Sequence, residues 1–185
     1  MNLLEPQDWT FPVPIAYGPG RLTEIAAMCS EAGMSKPLIV TDRGSRDLPF
    51  IADVGQYLQA DNMPSDVYAN ISPNPRDDEI AAGCEEYRQG GHDGIIAIGG
   101  GSGMDGGKAI SLVAANDIDL WAFEFEKTSP DMTTHPPFPP LICVPTTAGT
   151  GAETESTAMI TEVARMMKFC IWHPELKPEI GRAHV

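Results

Sequence analysis

The sequence lacks the patterns that mark metal sites, membrane spans and nucleic-acid-binding surfaces. Its four cysteines include no C-x-x-C pair and its four histidines no H-x-x-x-H pair, so we predict no metal ligands and reduced, mostly buried thiols. Only 12 Lys and Arg stand against 26 Asp and Glu, and the net charge of −14 repels phosphate backbones. No apolar run approaches the roughly 18 residues that cross a bilayer, and the N-terminal residues lack a signal-peptide pattern. We therefore predict a cytoplasmic protein with neither nucleic acid nor membrane as a partner.

Strand-like and helix-like segments alternate along the chain. Apolar runs predict strands at 11–17, 37–41, 67–69, 95–98 and 141–144. Apolar residues at helical spacing predict helices at 22–29, 50–58, 80–87 and 109–115. Such alternation is typical of parallel strands joined by helical crossovers, and 185 residues suffice for a buried core. The predicted fold class is α/β, with a Rossmann-like parallel sheet and flanking helices.

A glycine-rich segment, Gly99–Lys108, separates the strand-like run 95–98 from the helix-like segment 109–115. Glycines let the backbone turn sharply and approach a ligand, and the N–H groups at the start of a helix attract anions. The segment therefore predicts a phosphate-binding turn, with a nucleotide diphosphate as its ligand. A glycine-rich turn that binds nothing is the alternative. A P-loop is excluded, because Ala109 stands where a Mg²⁺-binding hydroxyl is needed.

Small and hydroxyl-bearing residues also follow the strand-like run 141–144, in the loop 145–153. Because parallel strands end at the same edge of a sheet, this loop and the glycine-rich segment predict one crevice at that edge. The hydroxyls of Thr146, Thr147 and Thr150 have two possible roles there. They bind phosphate or ribose oxygens, or they cap the segment that follows them, and the residues alone leave both roles open.

Asp42 ends the strand-like run 37–41. A carboxylate at this place accepts hydrogen bonds from the ribose hydroxyls of an adenosine and repels a 2′-phosphate, which favours NAD over NADP. The standard dinucleotide fold places this acid after the glycine-rich loop, whereas Asp42 precedes it by a whole crossover. An exposed aspartate in a turn is the competing interpretation.

Three segments in this order resemble the iron-containing (group III) alcohol dehydrogenases. They are 17–20, 99–110 and 145–153, the last followed by Lys168 and Phe169. The resemblance implies that the adenine ribose meets Asp42. The positions that it implies for the diphosphate are Gly100, Gly101 and Ser102. The other positions that it places along the cofactor are Asn74, Thr146, Thr147, Thr150, Met159 and Lys168. Gly106 and Gly107 depart from the larger residues often found there, and we expect each to loosen the first helical turn by about 1 kcal/mol.

The resemblance implies an NAD-dependent and metal-dependent enzyme that transfers hydride between a primary or secondary alcohol and the nicotinamide ring. Family members continue with an all-helical domain that holds Fe²⁺ or Zn²⁺, and this chain lacks those ligands. We divide the chain into an NAD-binding domain, 1–179, and a divergent tail, 180–185, and expect a truncated or frame-shifted gene end. We expect the chain alone to be poorly active, with an alcohol or aldehyde as the family's substrate. Apolar surface left by the absent domain predicts a homodimer or higher oligomer.

Two further interpretations stay open. The chain is alternatively a non-catalytic module that binds a nucleotide or mediates oligomerisation. Glycerol dehydrogenases and dehydroquinate synthases share the general architecture, but the loop 145–153 fits the iron-containing group better. No residue is assigned a catalytic step.

Overall fold

A seven-stranded sheet forms the centre of the protein in the computed structural model, which describes residues 7–9 and 13–183. The strands of the described chain are β1 Gln7–Trp9, β2 Ile15–Tyr17, β3 Pro37–Asp42, β4 Asp66–Ile71, β5 Gly94–Gly99, β6 Leu141–Pro145, β7 Thr157–Glu162, β8 Met167–Trp172 and β9 Ile180–Ala183. The sheet order is β1-β2-β9-β6-β5-β3-β4, while β7 and β8 form a separate hairpin. All neighbours in the sheet are parallel except β1 and β2. The predicted parallel sheet is therefore confirmed.

Helices cover both faces of the sheet. The α-helices are α1 Ile25–Glu31, α2 Pro49–Ala60, α3 Asp77–Gly90 and α4 Gly101–Ala114. Short 3-10 helices occupy Arg21–Glu24, Leu120–Phe123, Met132–Thr134 and Ala152–Thr154. One hydrophobic core lies on each face of the sheet, and alternate residues of β3 pack into them, because neighbouring side chains of a strand point to opposite faces. Ile39 joins the core under α1 and α2, and Leu38 joins the core under α3 and α4. The α/β class with flanking helices is confirmed.

Four of the predicted strands coincide with β3, β4, β5 and β6, but two parts of the fold were not predicted. The hairpin of β7 and β8 was missed, and the backbone of Ile180–Ala183 lies inside the sheet, parallel to both β2 and β6. The division of the chain at residue 179 stays a prediction, although the strand that follows this boundary is part of the same sheet. Of the predicted strand 11–17, the first two residues lie outside the described ones, as do His184 and Val185 of the tail.

The glycine-rich segment is mostly helix, which corrects the predicted turn. α4 begins at Gly101, whereas the sequence placed the helix at 109–115. Only Gly99, with φ of +143°, and Gly100 form the turn itself. A Cβ on Gly106 would lie 2.7 Å from Cγ1 of Ile71, and a Cβ on Gly107 would overlap Ala97. These glycines therefore let α4 lie close against the sheet, a role that the sequence analysis did not assign to them.

Alanine at position 107 tests this close packing. In the variant Gly107→Ala the new methyl group meets Ala97 of β5, 3.3 Å from its Cα, and we expect the free energy of unfolding to fall by about 2 kcal/mol. Gly55→Ala is the matched control, because a Cβ on this glycine of α2 meets nothing within 4 Å. We expect the control to gain about 0.5–1 kcal/mol from the helix propensity of alanine. Urea unfolding of both variants measures the difference, and equal stabilities would contradict the packing role.

Candidate functional site

A cleft of about 480 Å³ lies at the carboxyl ends of β3, β5 and β6. Its volume falls in the range of small-molecule sites, and crevices in this part of an α/β sheet commonly bind ligands. The residues that line it are Asp42, Ser45, Leu48, Phe50, Pro73, Gly100, Gly101, Ser102, Thr146 and Thr147. The predicted crevice thus exists, and it joins the acid of β3, the glycine turn and the loop after β6.

The N-terminus of α4 opens into this cleft. Its N-cap residue is Gly100, and no side chain caps the first turn. Ser102 does not fill that role, because its hydroxyl donates a hydrogen bond to the carbonyl of Pro73 at 2.6 Å. Uncapped N–H groups and the helix dipole make such an end attractive to anions. The glycine turn therefore keeps the features of a phosphate-binding site although most of the segment is helical.

Asp42 both orders a turn and lines the cleft. Its Oδ1 accepts hydrogen bonds from the backbone N–H groups of Gly44 at 2.9 Å and Ser45 at 3.1 Å. Its Oδ2 accepts one from the hydroxyl of Ser45 at 2.7 Å. Oδ1 thus uses both of its lone pairs in the turn, whereas Oδ2 keeps one with which it can accept a hydrogen bond from a ligand. Ser45 was not identified from the sequence. Its place shortly after Asp42 is nevertheless typical of a turn in which an Asp side chain accepts backbone hydrogen bonds.

The loop after β6 packs beside the start of α4. The N–H of Thr146 donates to the carbonyl of Gly99 at 2.9 Å and so extends the pairing of β5 and β6. A Cβ on Gly100 would lie 3.5 Å from the hydroxyl of Thr147, and one on Gly101 would lie 3.6 Å from the methyl of Thr150. The Thr150 hydroxyl accepts a long hydrogen bond, 3.4 Å, from the N–H of Ala152. Thr150 thus lies beside the glycine turn and bonds to the backbone of the 3-10 helix that follows, whose N-cap residue is Gly151.

The remaining predicted residues form a second group, on the hairpin of β7 and β8 and the loop after β4. The Lys168 ammonium donates to Oδ1 of Asn74 at 3.2 Å. Met159 is 37% exposed, and its N–H donates to Oδ2 of Asp105 at 3.2 Å. Burial raises the pKa of the Asp105 carboxyl. The structure thus brings Asn74 and Lys168 together, but neither they nor Met159 line the cleft.

A larger groove, of about 540 Å³, lies away from these residues, between α3, the end of α4 and the 3-10 helix Leu120–Phe123. Its lining includes four aspartates and one cation, Arg88, but none of the predicted site residues; the aspartates are Asp77, Asp78, Asp117 and Asp119. This lining has a net negative charge and so disfavours anionic ligands. The smaller cleft is therefore the better candidate for a nucleotide.

The described residues contain no group of three or more His, Cys, Asp or Glu side chains placed to hold a metal ion. Burial raises the pKa of the thiols of Cys29, Cys84 and Cys143 to about 12, so these cysteines are neutral at physiological pH. Within the part of the chain that the structure describes, no helix has the length and apolarity needed to cross a membrane.

Fold and cleft define a Rossmann-like α/β domain with a ligand crevice at the carboxyl edge of its sheet. The model of the iron-containing alcohol dehydrogenases matches residues 12–181, and the chain belongs to this family. It is 30% identical over 170 residues to the NAD-dependent methanol dehydrogenase of Bacillus methanolicus, covering 92% of this chain and 43% of that protein.

Solved structures show the same relation. The alcohol dehydrogenase from Oenococcus oeni matches with a TM-score of 0.82 and 30% identity, over 97% of this chain and 45% of that one. The sulfoacetaldehyde reductase from Bifidobacterium kashiwanohense, solved in complex with NAD⁺, matches with a TM-score of 0.81 and 27% identity, over 96% and 46%. The chain thus spans less than half the length of these relatives.

Loss of the Asp42 carboxylate tests its part in the turn. In Asp42→Ala the N–H of Gly44 and the hydroxyl of Ser45 lose their acceptor, and the N–H of Ser45 keeps only the Asp42 carbonyl. We expect the free energy of unfolding to fall by about 1–2 kcal/mol. Asp47→Ala is the control, since this exposed aspartate lies in the same loop; we expect it to change the stability by less than about 0.5 kcal/mol. Urea unfolding at neutral pH compares the two. An Asp42→Ala variant as stable as the control would show that the turn does not depend on this side chain.

Proposed function

We propose that the chain is the cofactor-binding part of an NAD-dependent alcohol dehydrogenase. The cleft would hold the adenosine diphosphate half of NAD, and the hairpin of β7 and β8 would face the nicotinamide half. The observation that carries the proposal is the uncapped N-terminus of α4, which opens into a cleft with Asp42 at its rim. When bound, NAD supplies the acceptor for the hydride.

The residues around the glycine turn fit a diphosphate. Gly100 and Gly101 have no side chains, so a phosphate can reach the N–H groups that begin α4. A buried polar atom also lacks a partner here: the hydroxyl of Thr41 is unpaired and lies 3.6 Å from the Cβ position of Gly99. Unpaired buried hydroxyls are uncommon, and a ligand or water at the turn would satisfy this one.

The other end of the cleft fits an adenosine. Asp42 is placed to accept the ribose hydroxyls, while Leu48, which is 43% exposed, and Phe50 offer apolar surface to the adenine ring. A 2′-phosphate beside the Asp42 carboxylate would place like charges together, and this supports NAD rather than NADP.

The nicotinamide half is assigned to the second group of residues. Asn74, Met159 and Lys168 lie on the hairpin and the loop after β4, and the Lys168 ammonium would attract the cofactor's anionic or hydroxyl groups. The NAD⁺ complex of the related sulfoacetaldehyde reductase supports this cofactor. The described residues offer no ligand set for Fe²⁺ or Zn²⁺.

The proposal also covers the substrate class, the activity, the location and the oligomeric state of the protein. Because the named relatives act on alcohols and aldehydes, we propose a substrate of that class for the whole enzyme and poor turnover by this chain alone. We propose a cytoplasmic location and a homodimer or higher oligomer. Association is supported by the tip of the hairpin, where the side chains of Val163, Met166 and Met167 are 42%, 87% and 57% exposed.

Calorimetric titration with NADH and with NADPH tests the cofactor and the role of Asp42. We expect NADH to bind at least about tenfold more tightly than NADPH, because the Asp42 carboxylate repels the 2′-phosphate. Asp42→Asn keeps an oxygen acceptor but removes the charge, and it should lose most of this preference. Asp47→Asn, the matched control in the same loop, should keep it. Absence of NADH binding would overturn the proposal, and equal binding of both cofactors would overturn the role of Asp42.

A further inference from the structure

The Lys108 side chain is a buried cation that the proposed function does not use. It lies in α4 and is fully buried, with 0% exposure. Its ammonium donates hydrogen bonds to the backbone carbonyls of Ala152, of Glu155 at 2.6 Å and of Thr157 at 3.1 Å. An ammonium has three donors, so these three carbonyls satisfy it completely. A cation is costly to bury without such partners, and a purely apolar residue would fill the same space without that cost.

The three carbonyls belong to the segment that shapes one side of the site. Ala152 begins the 3-10 helix at the end of the loop after β6, Glu155 follows that helix, and Thr157 begins β7. One turn earlier in α4, the Asp105 carboxylate accepts the N–H of Met159, further along the same strand. Two charged side chains of α4 thus hold the end of the loop and the start of the hairpin.

The two groups of site residues depend differently on these contacts. Asp42 is fixed by its own turn, and Gly100 and Gly101 are the N-cap and the first residue of α4. Thr146 is held by the carbonyl of Gly99, so the diphosphate end of the cleft needs no bond from Lys108. Met159 and Lys168 lie on the hairpin whose first residue Lys108 holds.

We infer that Lys108 is a positioning residue, which fixes the end of the loop after β6 and the start of the hairpin of β7 and β8, so that the hairpin meets the nicotinamide half of the cofactor. The inference rests on the proposed function. Lys108 itself does not line the cleft, and it acts through the backbone of Ala152, Glu155 and Thr157. Its loss should therefore weaken the binding of the complete dinucleotide more than the binding of its adenosine diphosphate half.

Calorimetric titration of the whole chain with ADP and with NADH separates the two halves. Lys108→Met keeps the length of the side chain and removes its donors. We expect the Kd for NADH to rise by about tenfold or more, and the Kd for ADP to change by less than about twofold. Lys177→Met is the matched control, because Lys177 is exposed and its variant should leave both constants unchanged. The readout is the ratio of the Kd for NADH to the Kd for ADP, because a general loss of folded protein weakens the binding of both ligands alike.

A second variant covers the case in which Lys108→Met does not fold. Asp105→Asn removes the charge that accepts the Met159 N–H and leaves the three carbonyl contacts in place; we expect it to weaken NADH about threefold, with ADP unchanged. Equal changes for both ligands, or none for either, would overturn the inference and leave the proposed function standing. A wild-type chain that binds neither ADP nor NADH would overturn both.

Discussion

The close contact between α4 and the sheet is the constraint on which the rest of the structure depends. Gly106 and Gly107 let the helix lie against Ile71 and Ala97, where larger residues would overlap. The helix start is thereby held level with the carboxyl ends of the strands, where the cleft opens. From the same helix, Asp105 and Lys108 reach the segment that leads into the hairpin. One element thus sets the positions of the proposed anion site, of the core beneath it and of the hairpin beside it.

This arrangement also explains how an acidic protein offers a site to an anion. The net charge of −14 is spread over the chain, and solvent ions screen it beyond about 8–10 Å. The N–H groups that begin α4 act at hydrogen-bond distance, where screening is weak. Four aspartates instead line the groove beside α3. In the proposed account, local backbone geometry therefore sets where a nucleotide binds, while the overall charge disfavours polyanions such as nucleic acids.

Patterns of neighbouring residues in the sequence predicted four of the strands and the place of the cleft. The apolar runs located β3 to β6, and the small residues after two of them located the cleft, because parallel strands end at one edge. The start of α4 at Gly101 was missed, because glycine has a low helix propensity and only packing against the sheet overrides it. The partners of Lys108 were missed as well, since backbone carbonyls 44 to 49 residues away leave no mark in a residue pattern. The hairpin and the place of β9 likewise depend on long-range pairing.

The most direct test of the account is a two-dimensional ¹H–¹⁵N NMR titration of the labelled chain with NADH, which reports where the cofactor binds. The account predicts shift changes at the amides of Gly100–Ser102 and Thr146–Thr150, and at Met159 and Lys168 of the hairpin. It predicts none in the groove beside α3, around Cys84 and Trp121. Shift changes confined to that groove, with the amides at the start of α4 unmoved, would contradict it.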